Sequence, residues 1–175
     1  MDYKELTAPD GEDVNMGGTQ QTVYFAPVSH IGTYPAAATT EGANPYVMTT
    51  PFVMKQGKKF IPMYTTQDMS DLDFGSNGEA DGKSFKPVLK LFYPGLTDDA
   101  LLFINNIKND KIILLVPLAN GKVLQLGNGQ FFMTVSPNFK TGTVSGRGIG
   151  TEIEVMGYLP YIYRYAAAIP LVAAT

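Results

Sequence analysis

The chain has 175 residues, of which 45% are apolar and only 17% charged, and its net charge is −3. That length holds one domain with a real core and is short for two, and the charge gives nucleic acid or an anionic membrane no bulk attraction. Cysteine is absent, which excludes disulfides and thiolate metal sites.

Charged residues fall below the usual quarter. Such a surface is either uncharged loop or buried against partners. Gly (18) and Pro (12) together make about a sixth of the chain, favouring turns and strands over helices. Residues 1–20 are polar and Gly-rich and read as an N-terminal arm, either flexible or ordered on a neighbour. They lack the charged-then-apolar pattern of a signal peptide. The apolar run 166–174 is interrupted by Pro170 and is too short to span a bilayer. The expectation is a soluble, single-domain chain (1–175) with no recognisable export signal and no membrane partner.

In chain order, 21–28 contains Thr22-Val23-Tyr24-Phe25 and predicts a first strand, stopped by Pro27. Residues 29–44 predict a loop. The stretches 46–54 and 58–64 flank Gln56-Gly57 and predict a hairpin, which Pro51 and Pro62 confine to an edge or a protruding arm. Residues 67–83 carry Asp68, Asp71, Asp73, Glu79 and Asp81 among Gly and Ser and read as a solvated, mobile loop. A calcium loop would need regularly spaced acids closed by a Glu at the twelfth place, and Asp71-x-Asp73-x-Gly75 breaks that spacing.

Residues 84–93 alternate, with Phe85, Leu89 and Leu91 on one face and Lys86, Lys90 and Phe92 on the other. After Pro94-Gly95, Thr97 is a good N-cap, Asp98 and Asp99 suit the first turn, and Ala100, Phe103, Ile104 and Ile107 form a stripe. This predicts one amphipathic helix over about 98–109. Residues 112–116 are apolar throughout and predict a strand covered by sheet on one side and helix on the other. Asn120-Gly121 is a strong hairpin signal. Further strands follow at 122–126, at 131–136 (stopped by Pro137) and at 151–155, where Ile153 and Val155 alternate with Glu152 and Glu154. Residues 159–175 read as a C-terminal arm. The fold class is mainly β: a β-sandwich of two antiparallel sheets with one flanking helix and long extended arms.

Four constellations bear on chemistry. His30 is the sole histidine and lies in a predicted loop with no carboxylate close in sequence, so it lacks the acid that orients the base of a triad. Gly146-Arg147-Gly148-Ile149-Gly150 leads into a strand, whereas a phosphate-binding loop opens a helix. Glu152 and Glu154 share one strand face. They read as a solvated acidic face, as paired acid–base carboxylates, or as an acidic wall facing a channel, where the absence of Lys or Arg contacts to phosphate lets DNA slide. Tyr158, Tyr161, Tyr163, Arg164 and Tyr165 have the composition of a subunit interface or of simple core packing.

The order of strand, Pro94-Gly95, capped helix, buried strand, Asn120-Gly121, strand, Leu126-Gly127, strand, Thr141-Gly142, Gly150 and strand resembles the tail tube protein family of long-tailed bacteriophages. The resemblance covers about residues 82–165. It includes Gly82-Lys83-Ser84-Phe85 before the first strand, Ala119-Asn120-Gly121-Lys122 at the hairpin, Lys140-Thr141-Gly142, and the closing strand 150–158. It implies a β-sandwich assembled into stacked hexameric rings. The inner sheets would form a barrel around a DNA-conducting lumen, and a loop and the termini would lock adjacent rings. The partners are then copies of the chain and other tail and neck proteins. The location is the virion, after synthesis in the host cytoplasm, with no catalysis, metal or cofactor. A head–tail connector or tail terminator, and a module binding a carbohydrate or host surface, are the alternatives. The Pro-bearing segment 44–64 departs from the pattern.

Overall fold

The computed structural model describes residues 16–146 and 148–175. Most of the N-terminal arm expected over 1–20 therefore lies outside the described residues, as does Arg147. The architecture is mainly β with one α-helix. Its strands are β1 (Thr22–Pro27), β2 (Ile31–Thr33), β3 (Val47–Met48), β4 (Val53–Met54), β5 (Ile61–Tyr64), β6 (Asp71–Asn77), β7 (Ser84–Pro94), β8 (Ile112–Pro117), β9 (Val123–Leu126), β10 (Thr134–Lys140), β11 (Gly150–Met156) and β12 (Tyr163–Tyr165). Helix α1 (Asp98–Ile107) joins β7 to β8.

Two sheets stack around a shared core. The first has the order β3-β12-β9-β8-β1-β5 and the second β10-β11-β7-β6. The second is antiparallel throughout. The first is antiparallel except at its rim, where β12 and β3 run parallel, so it is a mixed sheet and not the purely antiparallel one expected. A separate pair, β2–β4, lies outside both.

The continuous apolar run of β8 makes it the centre of the first sheet, and all six of its residues are buried. Ile112, Leu114 and Val116 meet Leu89, Leu91, Val135, Ile153 and Val155 of the second sheet. Ile113 and Leu115 lie on the opposite face beneath Phe52, Met54, Phe60 and Tyr165. The expected helical cover on that face is therefore replaced by β4, the Tyr165 side chain and irregular chain bearing Phe52 and Phe60. The helix instead closes one side of the sandwich. Its Ile107 joins the core between the sheets, and Phe103 meets Phe25 edge-on with ring centroids 5.4 Å apart. Thr97 caps it as expected, its Oγ1 accepting from the Ala100 N–H at 3.2 Å. The helix stops at Ile107, two residues short of the expected end, where the Asp110 N–H closes a turn onto the Ile107 carbonyl.

Several expectations are corrected. The segments 46–54 and 58–64 do not pair with each other. β3 joins β12, β4 joins β2, and β5 joins β1. Met48 and Met54 bury in the cluster on the outer face of the first sheet and Met63 in the core between the sheets, and that burial outweighs the local turn at Gln56-Gly57. Pro62 does occupy an edge, since β5 ends the first sheet. The acidic segment 67–83 is not a mobile loop: β6 pairs with β7 over seven residues, and Leu72 and Phe74 pack against the core between exposed aspartates. Pro137 does not stop its strand, because β10 is an edge and proline can present its missing N–H outward. The C-terminal arm is folded back. Leu159 is fully buried, β12 enters the first sheet, and the Gly57 N–H donates to the Ala174 carbonyl at 2.7 Å.

Candidate functional site

The second sheet has one dry face and one wet face, as the alternation in β11 dictates. Thr151, Ile153 and Val155 are buried, while Glu152 and Glu154 point away from the core. The register then builds rows across the wet face. Ser136, Glu154, Lys90 and Asp71 stand side by side on four successive strands. Asn138, Glu152 and Phe92 form the adjacent row. Lys140 reaches Glu152, Nζ to Oε2 at 2.6 Å. Asp73 and Lys86 share the same face by strand parity. The face thus carries Asp71, Asp73, Glu152 and Glu154 against Lys86, Lys90 and Lys140. A hollow of about 490 Å³ lies over Glu152, Glu154, Lys90, Ser136 and Asn138. Glu152 and Glu154 share a face in the sequence pattern, as do Lys86 and Lys90, but no local signal joins the two sets, because Lys90 and Glu154 are neighbours only through the pairing of β7 with β11.

Backbone hydrogen bonding along this sheet follows from two residues. Pro137 has no N–H, so its position in β10 faces the open edge. Across the sheet, the Phe92 N–H leaves the β11 side and donates to Thr65 Oγ1 at 3.2 Å. Carrying that alternation through the register points the N–H groups of Leu72, Phe74 and Ser76 out of the β6 edge. Both outer strands of this sheet are therefore seven-residue edges, β10 with one donor missing.

The tyrosine cluster is divided by the fold. Tyr158 and Tyr161 are exposed, Tyr163 is half-buried and Arg164 faces solvent. Tyr165 is a core residue, 2% exposed. Its hydroxyl donates to the Ala168 carbonyl at 2.8 Å and accepts from the Phe52 N–H at 3.3 Å, and burial pushes its phenol above the usual pKa. Burial likewise raises Tyr163, against the opposing effect of a hydrogen bond with Asn128. Tyr46 joins the cluster because β3 pairs with β12, and no local signal in the sequence marks it. Tyr161 lies 5.0 Å from Tyr46 at 42° and 6.2 Å from Tyr163 at 81°. These rings cross one another, so they do not present one flat stacking surface.

His30 ends a one-turn 3-10 segment, with its carbonyl held by the Lys55 N–H at 2.9 Å. Burial, then the charge of Lys58, lowers its pKa below the ordinary histidine value. Among the described residues, no group of three or more His, Cys, Asp or Glu side chains is placed to hold a metal ion. No described helix is long and apolar enough to cross a membrane.

No family model matches the chain, and no curated protein or solved structure is significantly similar to it.

Proposed function

We propose that this chain is a structural subunit of a phage tail tube, assembling with copies of itself into stacked hexameric rings around a lumen that conducts DNA. The observation that carries this reading is the second sheet: a wet, acid-bearing face flanked by two open seven-residue edges. Four antiparallel strands leave β6 and β10 running in opposite directions. Copies set side by side head to tail would then pair β6 of one with β10 of the next in antiparallel fashion. Such a contact repeats around a ring and removes both edges.

The wet face would line the lumen. A lysine there would bind phosphate and slow DNA. Lys140 is already bonded to Glu152, and Lys90 stands between Asp71 and Glu154. The acids thus offset the cations in place. On this reading the chain has no catalytic role and no cofactor, it resides in the virion tail after synthesis in the host cytoplasm, and its other partners are tail and neck proteins. A connector or terminator ring is the second reading within the same class. A carbohydrate-binding module is less well supported, since the tyrosine rings cross where sugar stacking needs a flat face.

Electron microscopy of the purified protein, with its mass from light scattering, tests the proposal. Hollow tubes or stacked six-fold rings are expected. Rings that never stack would shift the assignment to a connector or terminator, and a monomer at high concentration would defeat both.

A further inference from the structure

A second cavity lies away from the wet face, where α1 closes the sandwich between β5 and β11. Its volume is about 210 Å³. The walls are almost wholly apolar, with Phe25, Met63, Tyr93, Phe103 and Ile153 forming the body. Besides the tyrosines Tyr64 and Tyr93, two polar residues interrupt them. Thr151 lines the cavity at 1% exposure, and its hydroxyl has no hydrogen-bond partner. A buried, unpaired hydroxyl is costly, and a ligand atom that bonded it would recover that cost. Asp99 stands at the exposed mouth, in the first turn of α1.

From this geometry we infer a binding site for a small phenol that carries no negative charge. An apolar cavity on the order of 150 Å³ holds a single benzene ring, so this volume takes one ring and a short substituent. The ring lies among the aromatic and aliphatic walls. The phenolic hydroxyl bonds Thr151 in the depth of the cavity. A substituent pointing outward meets Asp99, which admits a neutral or cationic tail and repels a carboxylate. The inference stands apart from the tail tube reading, since it uses neither β6 nor β10 nor the wet face.

Saturation-transfer NMR titrations of the full chain test it in any assembly state. p-Cresol is expected to bind about five- to tenfold tighter than toluene, the value of one hydrogen bond to a buried hydroxyl. Thr151→Val, which keeps the shape and removes the hydroxyl, should bring the two ligands within about twofold. Tyramine should exceed 3-(4-hydroxyphenyl)propionate by about two- to fivefold, and Asp99→Asn should abolish that preference. Equal binding of cresol and toluene to the unmodified chain would overturn the inference without recourse to a variant. So would a cresol preference that survives Thr151→Val. Saturation seen for the monomer and absent from the assembly would also overturn it, by assigning the cavity to a side chain of a second copy.

Discussion

The two sheets share one core and differ in what they do with their other face. In the first sheet the outward residues of β8, Ile113 and Leu115, are covered by the chain itself, through Phe52, Met54, Phe60 and Tyr165. In the second sheet the outward residues of β11, Glu152, Glu154 and Met156, stay half-buried rather than covered. Outward apolar groups make cover necessary, because exposing them forgoes about 25 cal/mol per Å² of burial. Outward charges make cover costly, because a buried ion must be paired and hydrogen-bonded. The first sheet is thereby committed to stability, and the second keeps a half-exposed charged face and two outer strands.

Truncating a side chain on each outer face tests this contrast most strongly. Leu115→Ala should cost about 2–5 kcal/mol despite lying under irregular chain. Glu154→Ala should stay within about 0.5 kcal/mol. Equilibrium urea unfolding measures both, and similar values would remove the distinction between the faces. The next effect concerns how closely β7 and β11 approach. A Cβ on Gly150 would stand 2.6 Å from the Tyr93 carbonyl oxygen, whereas one on Gly148 meets nothing within 4 Å. Gly150→Ala should therefore cost about 1–3 kcal/mol, with Gly148→Ala close to neutral in the same thermal melts.

Proline substitutions sharpen the comparison at the edge. Ser76 directs its N–H outward and Asn77 directs its own to β7, by the register derived above. Ser76→Pro should leave the melting temperature near that of the unmodified chain and abolish ring or tube formation in electron micrographs. Asn77→Pro should lower the melting temperature. Assembly that survives Ser76→Pro would exclude β6 from the proposed subunit contact. The smallest effect lies in the cover over the first sheet. The folded-state pKa of His30 is lowered, so the unfolded chain takes up its proton first as pH falls. The stability due to its neutral form is complete above the unfolded value of about 6.5 and declines as pH drops through the folded value. His30→Gln should flatten that part of the pH profile of the unfolding midpoint, and an unchanged slope between pH 7 and 5.5 would assign the decline to other groups.

The elements that carry their own local rule were legible in the sequence. Thr97 with the stripe of Ala100, Phe103 and Ile107 specifies the helix through capping and a 3.6-residue period. The unbroken apolar run of β8 specifies a strand buried on both faces. Asn120-Gly121 specifies the β8–β9 hairpin, where Gly121 takes a φ of +79°. The alternation in β11 specifies one dry and one acidic face. Only the tertiary structure decided the rest. β6 was hidden because its aspartates dominate the composition, while Leu72 and Phe74 gain their burial from a core assembled elsewhere in the chain. The two-residue strands β3 and β4 carry too few residues to show a period, so long-range pairing chose their partners. Tyr161 and Tyr165 are alike in sequence, yet one lies at the surface and the other in the core, because the chain from β12 onward folds back over the first sheet. Periodicity and caps are properties of neighbouring residues and can be read along the chain, whereas pairing partners and the cover of a sheet face are set by groups far apart in sequence, and these decided which surface of this protein stayed open.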